Sequence, residues 1–187
     1  AANLAAAGYA VRGFDVGVEA QAKAREAGID IVDSVAGAVD GAEIIVSMLP
    51  NGSLVDSVFT EALAVAKQGS LFVDCSTIAV DDATSVRDKV AAAGSAFIDA
   101  PVSGGVTGAA AGTLAFMVGG DEADVQRARP ILEHMGRSIV HCGASGAGQA
   151  AKVCNNMVLA IQQIAIGEAM VLGEKLGLAP EAFHEVV

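Results

Sequence analysis

Apolar residues in the first 143 positions form runs of strand length, which alternate with segments whose apolar residues recur at helical spacing. The runs of strand length cover residues 9–15, 29–32, 43–49, 70–76, 95–102, 113–120 and 138–143. The segments of helical pattern cover residues 2–8, 18–28, 34–41, 53–69, 80–94 and 121–136. This alternation predicts an α/β fold with a mostly parallel sheet that is covered by helices on both faces.

The pattern changes near residue 146, because only helical periodicity continues from there to the end of the sequence. We therefore place a domain boundary at residues 143–146. Residues 1–145 form the predicted α/β domain, and residues 146–187 form the predicted beginning of an all-α domain.

The segment GAGQAAKVCNNMVLAIQQIAIG, at residues 146–167, is apolar around most of its helical circumference. Contact with one domain alone does not require so many apolar faces. We therefore expect this helix to be buried between domains and against another subunit, in a homodimer or a homotetramer. The polar residues Asn155, Asn156, Gln162 and Gln163 argue against a membrane span.

Charge and composition narrow the class of protein. The sequence is 53% hydrophobic and carries a net charge of −11, so it lacks the basic surface that a nucleic-acid partner requires. Its three cysteines and three histidines show no spacing typical of metal ligands, and no signal peptide precedes the first predicted helix. We expect buried thiols, a cytoplasmic location and no metal.

The acidic residue at the end of the first predicted strand is the first candidate for ligand binding. Asp15, in the segment FDV, occupies the position at which dinucleotide-binding βαβ units bind the ribose hydroxyls of the cofactor. An acidic side chain repels the 2′-phosphate of NADP and so favours NAD. An ordinary helix-capping aspartate explains the residue equally well, and the usual G-x-G-x-x-G partner motif is absent.

Two further strands end in turns of unusual composition, VSMLPN at 46–51 and VDCSTI at 73–78. Ligands of open α/β sheets bind at the carboxyl ends of strands, so Met48, Leu49, Pro50 and Thr77 are candidate cofactor contacts. Ordinary turn formation is the alternative interpretation.

A segment rich in glycine and alanine, DAPVSGGVTGAAAGTL at residues 99–114, directly follows another apolar strand. Glycine lets backbone N–H groups approach a ligand closely, and Ser103 adds a hydroxyl donor. We interpret Ser103, Gly104 and Gly105 as a binding site for a carboxylate. The alternative is a flexible connecting loop.

Lys152 is the one charged residue at the start of the apolar segment 146–167, and Asn156 lies on the same helical face, four positions later. Desolvation favours a neutral lysine, which can take a proton from an alcohol and return it. The alternative is a lysine that extends along the helix surface to reach water.

Six segments together resemble the β-hydroxyacid dehydrogenase family. They are FDV, MLPN, DCSTIA, DAPVSGGVTGAAAGTLAFMVGG, ARPILEHMG and GAGQAAKVCNNM, and they occur in this order along essentially the whole sequence. The resemblance implies a Rossmann-like NAD-binding domain followed by a helical domain. It also implies a bacterial, cytoplasmic enzyme of valine catabolism that oxidises 3-hydroxyisobutyrate to methylmalonate semialdehyde with NAD rather than NADP.

The resemblance also implies a role for each candidate residue. Lys152 would be the catalytic acid/base, and Asn156 would assist it. The implied cofactor contacts are Asp15, Met48, Leu49, Pro50 and Thr77, and the implied contacts of the substrate carboxylate are Ser103, Gly104 and Gly105.

The sequence departs from the family pattern at both ends. The family's first strand and glycine loop do not precede residue 1, and the helical part stops at Val187, before a further family lysine. We expect residues 1–187 alone to bind NAD weakly, because the glycine loop normally holds the pyrophosphate at a helix N-terminus.

Other functions are compatible with parts of this pattern. Tartronate semialdehyde reductases and other small-aldehyde reductases share the loop and the lysine, whereas imine reductases share the fold but generally lack this lysine. A non-catalytic nucleotide-binding protein could retain the fold, although it would not need the carboxylate loop, Lys152 and Asn156 together.

Overall fold

The computed structural model describes all 187 residues. Its helices are α1 (Ala2–Ala6), α2 (Val18–Glu26), α3 (Val35–Val39), α4 (Gly52–Leu63), α5 (Val80–Ala92), α6 (Gly105–Ala111), α7 (Glu122–Glu133), α8 (Ala147–Lys175) and α9 (Pro180–Val186). Its strands are β1 (Arg12–Gly13), β2 (Asp30–Ile31), β3 (Ile44–Ser47), β4 (Leu71–Asp74), β5 (Ala96–Asp99), β6 (Val102–Ser103), β7 (Leu114–Gly119) and β8 (Gly136–Gly143). The predicted α/β class is confirmed.

The main sheet has six strands, in the order β3-β4-β5-β7-β6, with β8 paired to β7. Strands β3, β4 and β5 are parallel, and so are β7 and β8, but β7 runs antiparallel to β5 and β6. Strands β1 and β2 form a separate parallel pair. Parallel pairs thus predominate in a mixed sheet.

Neighbouring residues of β4 and β5 enter two different hydrophobic cores. Leu71, Val73 and Ile98 pack with side chains of α7 and β7, whereas Phe72 and Phe97 pack with side chains of α3, α4 and α5. Successive side chains of a strand point to opposite faces, so helices must cover both faces of these strands. This arrangement agrees with the predicted layers.

Two polar side chains cap the N-termini of the helices that follow β2 and β3. Ser34 Oγ accepts a hydrogen bond from Gly37 N at the start of α3, and Asn51 Oδ1 accepts one from Leu54 N at the start of α4. Such caps satisfy backbone donors that have no partner within the helix. The asparagine of the MLPN segment is therefore a helix cap.

The segment after β5 contains a helix where the sequence predicted neither helix nor strand, so the alternative of a flexible connecting loop is wrong there. Residues Gly105–Ala111 form the helix α6, between Gly104 at φ +127° and Gly112 at φ +66°. Glycine adopts these backbone angles without the strain that a Cβ would cause. The three consecutive alanines at 109–111 favour helix, but the segment lacks the apolar periodicity by which the other helices were identified.

The chain divides into two compact units, Ala1–Lys152 and Val153–Val187. The predicted domain boundary at 143–146 lies just before α8, whereas this division falls inside that helix. The assignment of residues 1–145 and 146–187 to separate domains stays a prediction.

Most apolar side chains of the second unit are exposed. They include Val153, Met157, Val158, Leu159, Ile161, Ile164, Ile166, Met170, Val171 and Leu172. By length and composition alone α8 could cross a membrane, since it has 29 residues and a window of mean hydropathy 1.3. The same helix contains Asn155, Asn156, Gln162 and Gln163, the residues that argued against a span.

The cysteines differ in their surroundings. Cys75 is buried, and burial raises the pKa of its thiol to about 12. Cys142 is half-buried and Cys154 is exposed, so the expectation of buried thiols is wrong for Cys154.

Candidate active site

The last residues of three parallel strands lie side by side at one edge of the main sheet. Ser47 of β3 is paired in register with Asp74 of β4, and Asp74 is paired with Asp99 of β5. The segments that follow these residues contain Met48–Pro50, Thr77 and Ser103. The register thus brings most of the predicted ligand contacts to the same carboxyl edge, as expected for an open α/β sheet.

A buried carboxyl group connects the first two of these strand ends. Asp74 Oδ1 accepts hydrogen bonds from Ser47 Oγ at 2.7 Å and from Ser76 Oγ at 2.6 Å, while Oδ2 is buried without a partner. Burial raises the pKa of Asp74, and the hydrogen bonds from Ser76 and Ser47 offset part of that effect. Ser76 Oγ also accepts a hydrogen bond from Leu49 N at 2.8 Å, which holds the MLPN segment against the DCST segment.

A second buried carboxyl group binds the start of α8. Asp99 Oδ1 accepts a hydrogen bond from Gly146 N at 2.7 Å, and Oδ2 accepts one from Gln149 N at 2.9 Å. These N–H groups lie at a helix start, where they have no partner within the helix. Burial raises the pKa of Asp99, while the backbone donors of Gly146 and Gln149 act in the opposite direction.

Close packing at the start of α8 requires glycine. A Cβ on Gly148 would lie 2.4 Å from the Met117 carbonyl oxygen and 2.7 Å from the Asp99 carbonyl oxygen. No larger residue fits there unless the backbone shifts. Gly148 therefore has a structural role, since it allows the helix that carries Lys152, four positions later, to approach β5 and β7.

The side chain of Gln149 is completely buried and is bonded to the backbone on both sides of Thr77. Its Nε2 donates to the Ser76 carbonyl oxygen at 2.7 Å, and its Oε1 accepts from Ile78 N at 3.2 Å. Thr77 itself is exposed. The start of α8 is thus joined directly to the segment from which Thr77 faces solvent.

Lys152 lies three residues after Gln149 in α8 and is partly buried. It takes part in none of the ion pairs of the structure. Desolvation lowers the pKa of its amine from the ordinary value for lysine. A lysine with a lowered pKa and no carboxylate partner is suited to accept a proton.

Asn156, the predicted assistant of Lys152, is exposed, and its Oδ1 accepts a hydrogen bond from Asn155 Nδ2 at 3.3 Å. Its predicted action together with Lys152 stays a prediction.

The predicted carboxylate site is open to solvent. Ser103 is half-buried at the end of β6, and Gly104 and Gly105 are exposed at the start of α6. Both glycines have positive φ, at +127° and +60°. Alanine would be strained at either position, so glycine has a geometric reason to be there.

Asp15 is exposed on the turn between β1 and α2. Its Oδ1 accepts a hydrogen bond from Gly17 N at 2.7 Å, and its carbonyl oxygen accepts one from Gln21 Nε2 at 2.7 Å. This geometry stabilises the turn and leaves Oδ2 free for a hydroxyl donor. Because β1 belongs to the separate two-stranded sheet, the strand register does not connect Asp15 with the other candidates.

The cofactor contacts suggested by the sequence have the chemistry that a dinucleotide needs. Asp15 offers an unpaired carboxylate oxygen for ribose hydroxyls, while Met48, Pro50 and Thr77 are exposed at the carboxyl edge. Met48 is 62% exposed, so its apolar side chain is accessible to a ligand at this edge.

Sequence reasoning did not identify Asp74, Asp99 and Gln149. The sequence marks these three residues only weakly as functional. An aspartate at a strand end is common, and a glutamine in an apolar helix has no characteristic spacing. Only the strand register and the approach of α8 show that these side chains connect the candidate segments.

Both parts of the chain match known families. Residues 1–143 match the family model described as the NAD binding domain of 6-phosphogluconate dehydrogenase. Residues 146–187 match the one described as NAD-binding of NADP-dependent 3-hydroxyisobutyrate dehydrogenase.

The chain is also similar to individual proteins. It is 54% identical over 186 residues to a probable 3-hydroxyisobutyrate dehydrogenase of Mycobacterium tuberculosis, which covers 100% of the chain and 63% of that relative. It is 47% identical over 190 residues to the 3-hydroxyisobutyrate dehydrogenase of Pseudomonas aeruginosa, which covers 100% of the chain and 64% of that relative.

A solved structure of the 3-hydroxyisobutyrate dehydrogenase of Mycobacterium tuberculosis, with L-serine, superimposes with a TM-score of 0.94 at 55% identity. The match covers 99% of this chain and 64% of that one. The chain thus spans less than two thirds of the length of these proteins.

Proposed function

The chain belongs to the β-hydroxyacid dehydrogenase family, and from that premise we propose that the protein containing it oxidises 3-hydroxyisobutyrate to methylmalonate semialdehyde with NAD. The observation that carries this proposal is the environment of the Lys152 amine. This amine is unpaired and partly desolvated, and it lies on a helix that is bonded directly to the strand edge of the candidate cofactor contacts.

Lys152 is the acid/base of the proposed reaction. In its neutral form the amine accepts the proton of the substrate hydroxyl, and the protonated form returns it in the reverse direction. Desolvation, which lowers the pKa of Lys152, increases the neutral fraction at a given pH. Bound NAD supplies the hydride acceptor for the carbinol carbon.

Ser103, Gly104 and Gly105 hold the substrate in this proposal. The Ser103 hydroxyl and the backbone N–H groups of the two glycines are suited to bind a carboxylate, because the glycines carry no side chain that would block its approach. When the substrate carboxylate is held there, the orientation of the substrate hydroxyl is fixed. This reduces the entropic cost of the reaction.

Asp15 supports the choice of NAD. Its free Oδ2 can accept a hydrogen bond from a ribose hydroxyl, whereas the 2′-phosphate of NADP would meet a carboxylate of like charge. The proposed contacts of the rest of the NAD molecule are Met48, Leu49, Pro50 and Thr77. Asn156 is proposed to assist Lys152.

A second substrate has specific support. L-Serine accompanies the similar enzyme of Mycobacterium tuberculosis in its solved structure, and it is also a 3-hydroxy acid. Its carboxylate and hydroxyl have the same spacing as in 3-hydroxyisobutyrate. We therefore propose L-serine as the alternative substrate, and a panel of 3-hydroxy acids assayed with NAD and NADP distinguishes the two.

The exposed apolar residues of α8 also support a proposal about assembly. We propose that these residues are covered by the rest of the full-length protein and by a second copy, in a homodimer or homotetramer. We also propose that the enzyme is cytoplasmic. Light scattering that shows only a monomer for a protein of the relatives' length would contradict the oligomer.

The decisive experiment is Lys152→Ala in a protein of the relatives' length that contains these 187 residues. We expect kcat to fall by at least about 10²-fold, the usual scale for loss of general acid–base catalysis, with little change in NAD affinity. Lys67→Ala is the matched control, because Lys67 is exposed and precedes β4, whereas Thr77 follows the opposite end of that strand. Near-normal turnover by Lys152→Ala would overturn the mechanism.

A further inference from the structure

We propose that Gln149 is a positioning residue that holds Lys152 at a constant distance from the Thr77 segment; this inference rests on the proposed function of Lys152 as the acid/base. Gln149 itself touches no reacting atom. It acts by fixing the helix that carries the base relative to the segment proposed to contact the cofactor.

The first support is the use of both ends of the Gln149 amide. Nε2 donates to the Ser76 carbonyl oxygen and Oε1 accepts from Ile78 N, so the amide is bonded to both residues that flank Thr77. A glutamine is seldom completely buried unless its polar atoms have partners. The contact is specific, because an apolar side chain of the same size would leave both backbone groups unpaired.

The second support is that the backbone of the same residue is bonded elsewhere. Gln149 N donates to Asp99 Oδ2, while Gly146 N donates to Asp99 Oδ1. Asp99 ends β5, and Ser76 follows the end of β4. Gln149 therefore joins three elements, namely the end of β5, the segment after β4 and the first turn of α8.

The third support is the short path from Gln149 to Lys152. The two residues are three positions apart in one continuous helix, which corresponds to a rise of about 4.5 Å. Less than one helical turn separates them, so a shift of the helix start moves the amine by a similar distance. Misplacement of a catalytic group by about 1 Å can lower a rate by about 10²-fold.

The test is a double-mutant cycle for kcat in a protein of the relatives' length, with Gln149→Met and Lys152→Ala made singly and together. Methionine has a similar length but cannot form the two hydrogen bonds. We expect Gln149→Met alone to lower kcat by about ten- to a hundredfold. In the Lys152→Ala background the same change should lower kcat less than about twofold, because the base whose position it disturbs is gone.

A merely structural role would give a different result. Loss of folded enzyme lowers kcat by the same factor in both backgrounds, and the loss disappears when rates are expressed per NAD-binding site. Equal factors in the two backgrounds would therefore overturn the positioning role. Gln126→Met is the matched control, because Gln126 is exposed and bonds only to its own helix, through Glu122 and Arg129.

One further variant and the Lys152→Ala result keep the outcomes distinct. Gln149→Ala removes both hydrogen bonds without adding a charge or bulk, so its kcat should fall at least as far as that of Gln149→Met. It replaces Gln149→Met in the cycle if the methionine variant does not fold. Near-normal turnover by Lys152→Ala would overturn the proposed function and this inference together, whereas a large Lys152→Ala effect with an additive cycle overturns this inference alone.

Discussion

Large apolar side chains are buried in the sheet of residues 1–152 but exposed on the helices of residues 153–187. In the first unit Leu71 and Phe72 are 0% exposed, whereas in the second unit Leu159 is 50% exposed and Ile164 is 62% exposed. The first unit has a sheet whose two faces are covered by helices, so its apolar residues are removed from water. The second consists of helices only, and their apolar surface needs cover that these 35 residues do not themselves provide.

The difference shows where the stability of the chain resides. Burial of apolar surface is the main favourable contribution to folding, so the sheet of the first unit should account for most of the free energy of unfolding. The apolar surface of the second unit is instead the surface for which association was proposed above. Each of the following experiments tests this contrast.

The largest expected effect comes from the same substitution made in both units. Leu71→Ala should lower the free energy of unfolding by about 2–5 kcal/mol, because it removes a completely buried side chain from the core. Leu159→Ala should change it by no more than about 0.5 kcal/mol, because that side chain is half exposed.

Urea unfolding of the 187-residue chain, followed by circular dichroism at low protein concentration, measures both values. If Leu159→Ala costs as much as Leu71→Ala, then α8 is already buried against another copy in solution and the contrast fails.

Alanine substitution at two glycines of α8 should change the free energy of unfolding by an intermediate amount, with opposite signs at the two positions. Gly148→Ala should destabilise the chain by about 1–3 kcal/mol, because the new Cβ would overlap the Met117 and Asp99 carbonyl oxygens. Gly167→Ala should stabilise it by about 0.5–1 kcal/mol, because nothing lies within 4 Å of the new Cβ and alanine favours helix.

Thermal unfolding of the two variants and the wild type is the measurement. A Gly148→Ala variant as stable as the wild type would mean that the start of α8 can move away from β5 without loss. That outcome would also weaken the case for a fixed position of Lys152.

The smallest effect concerns His141, which connects β8 to α7. Its Nε2 lies 2.8 Å from the Gly120 carbonyl oxygen and its Nδ1 lies 2.8 Å from Glu122 Oε2. Both contacts need a donor, so the backbone hydrogen bond to Gly120, and secondarily Glu122, raise the pKa of His141 above its ordinary value of 6.5.

A raised pKa in the folded state means that this stabilisation is complete below about pH 6.5 and is lost as pH rises through the folded-state value. We expect His141→Asn to cost under about 1 kcal/mol at pH 5.5 and less at pH 8.5. The free energy of unfolding of variant and wild type at both pH values tests this. His184→Asn, in the second unit, is the control, and a His141→Asn cost that grows with pH would contradict the assignment.

The sequence was sufficient for features that depend on local chemistry. Alternation of apolar runs predicted the order of strands and helices, and the turn segments after the apolar strands predicted the edge where candidate residues would meet. The resemblance, based on segments such as DAPVSGG and GAGQAAKVCNNM, agreed with the family that the comparisons show. Local pattern failed for α6, because a helix of glycine and alanine has no apolar stripe to identify it.

Only the tertiary structure decided how the candidate segments are joined. The pairing of Ser47, Asp74 and Asp99 depends on strand register, and the bonds of Gln149 to both sides of Thr77 depend on contacts more than 70 positions apart in the chain. A buried polar side chain has no sequence signature, because its identity is set by the particular donors and acceptors that folding brings to it. Local sequence therefore determined which residues are available for chemistry, whereas the packing of α8 against the strand ends determined how Lys152 is held.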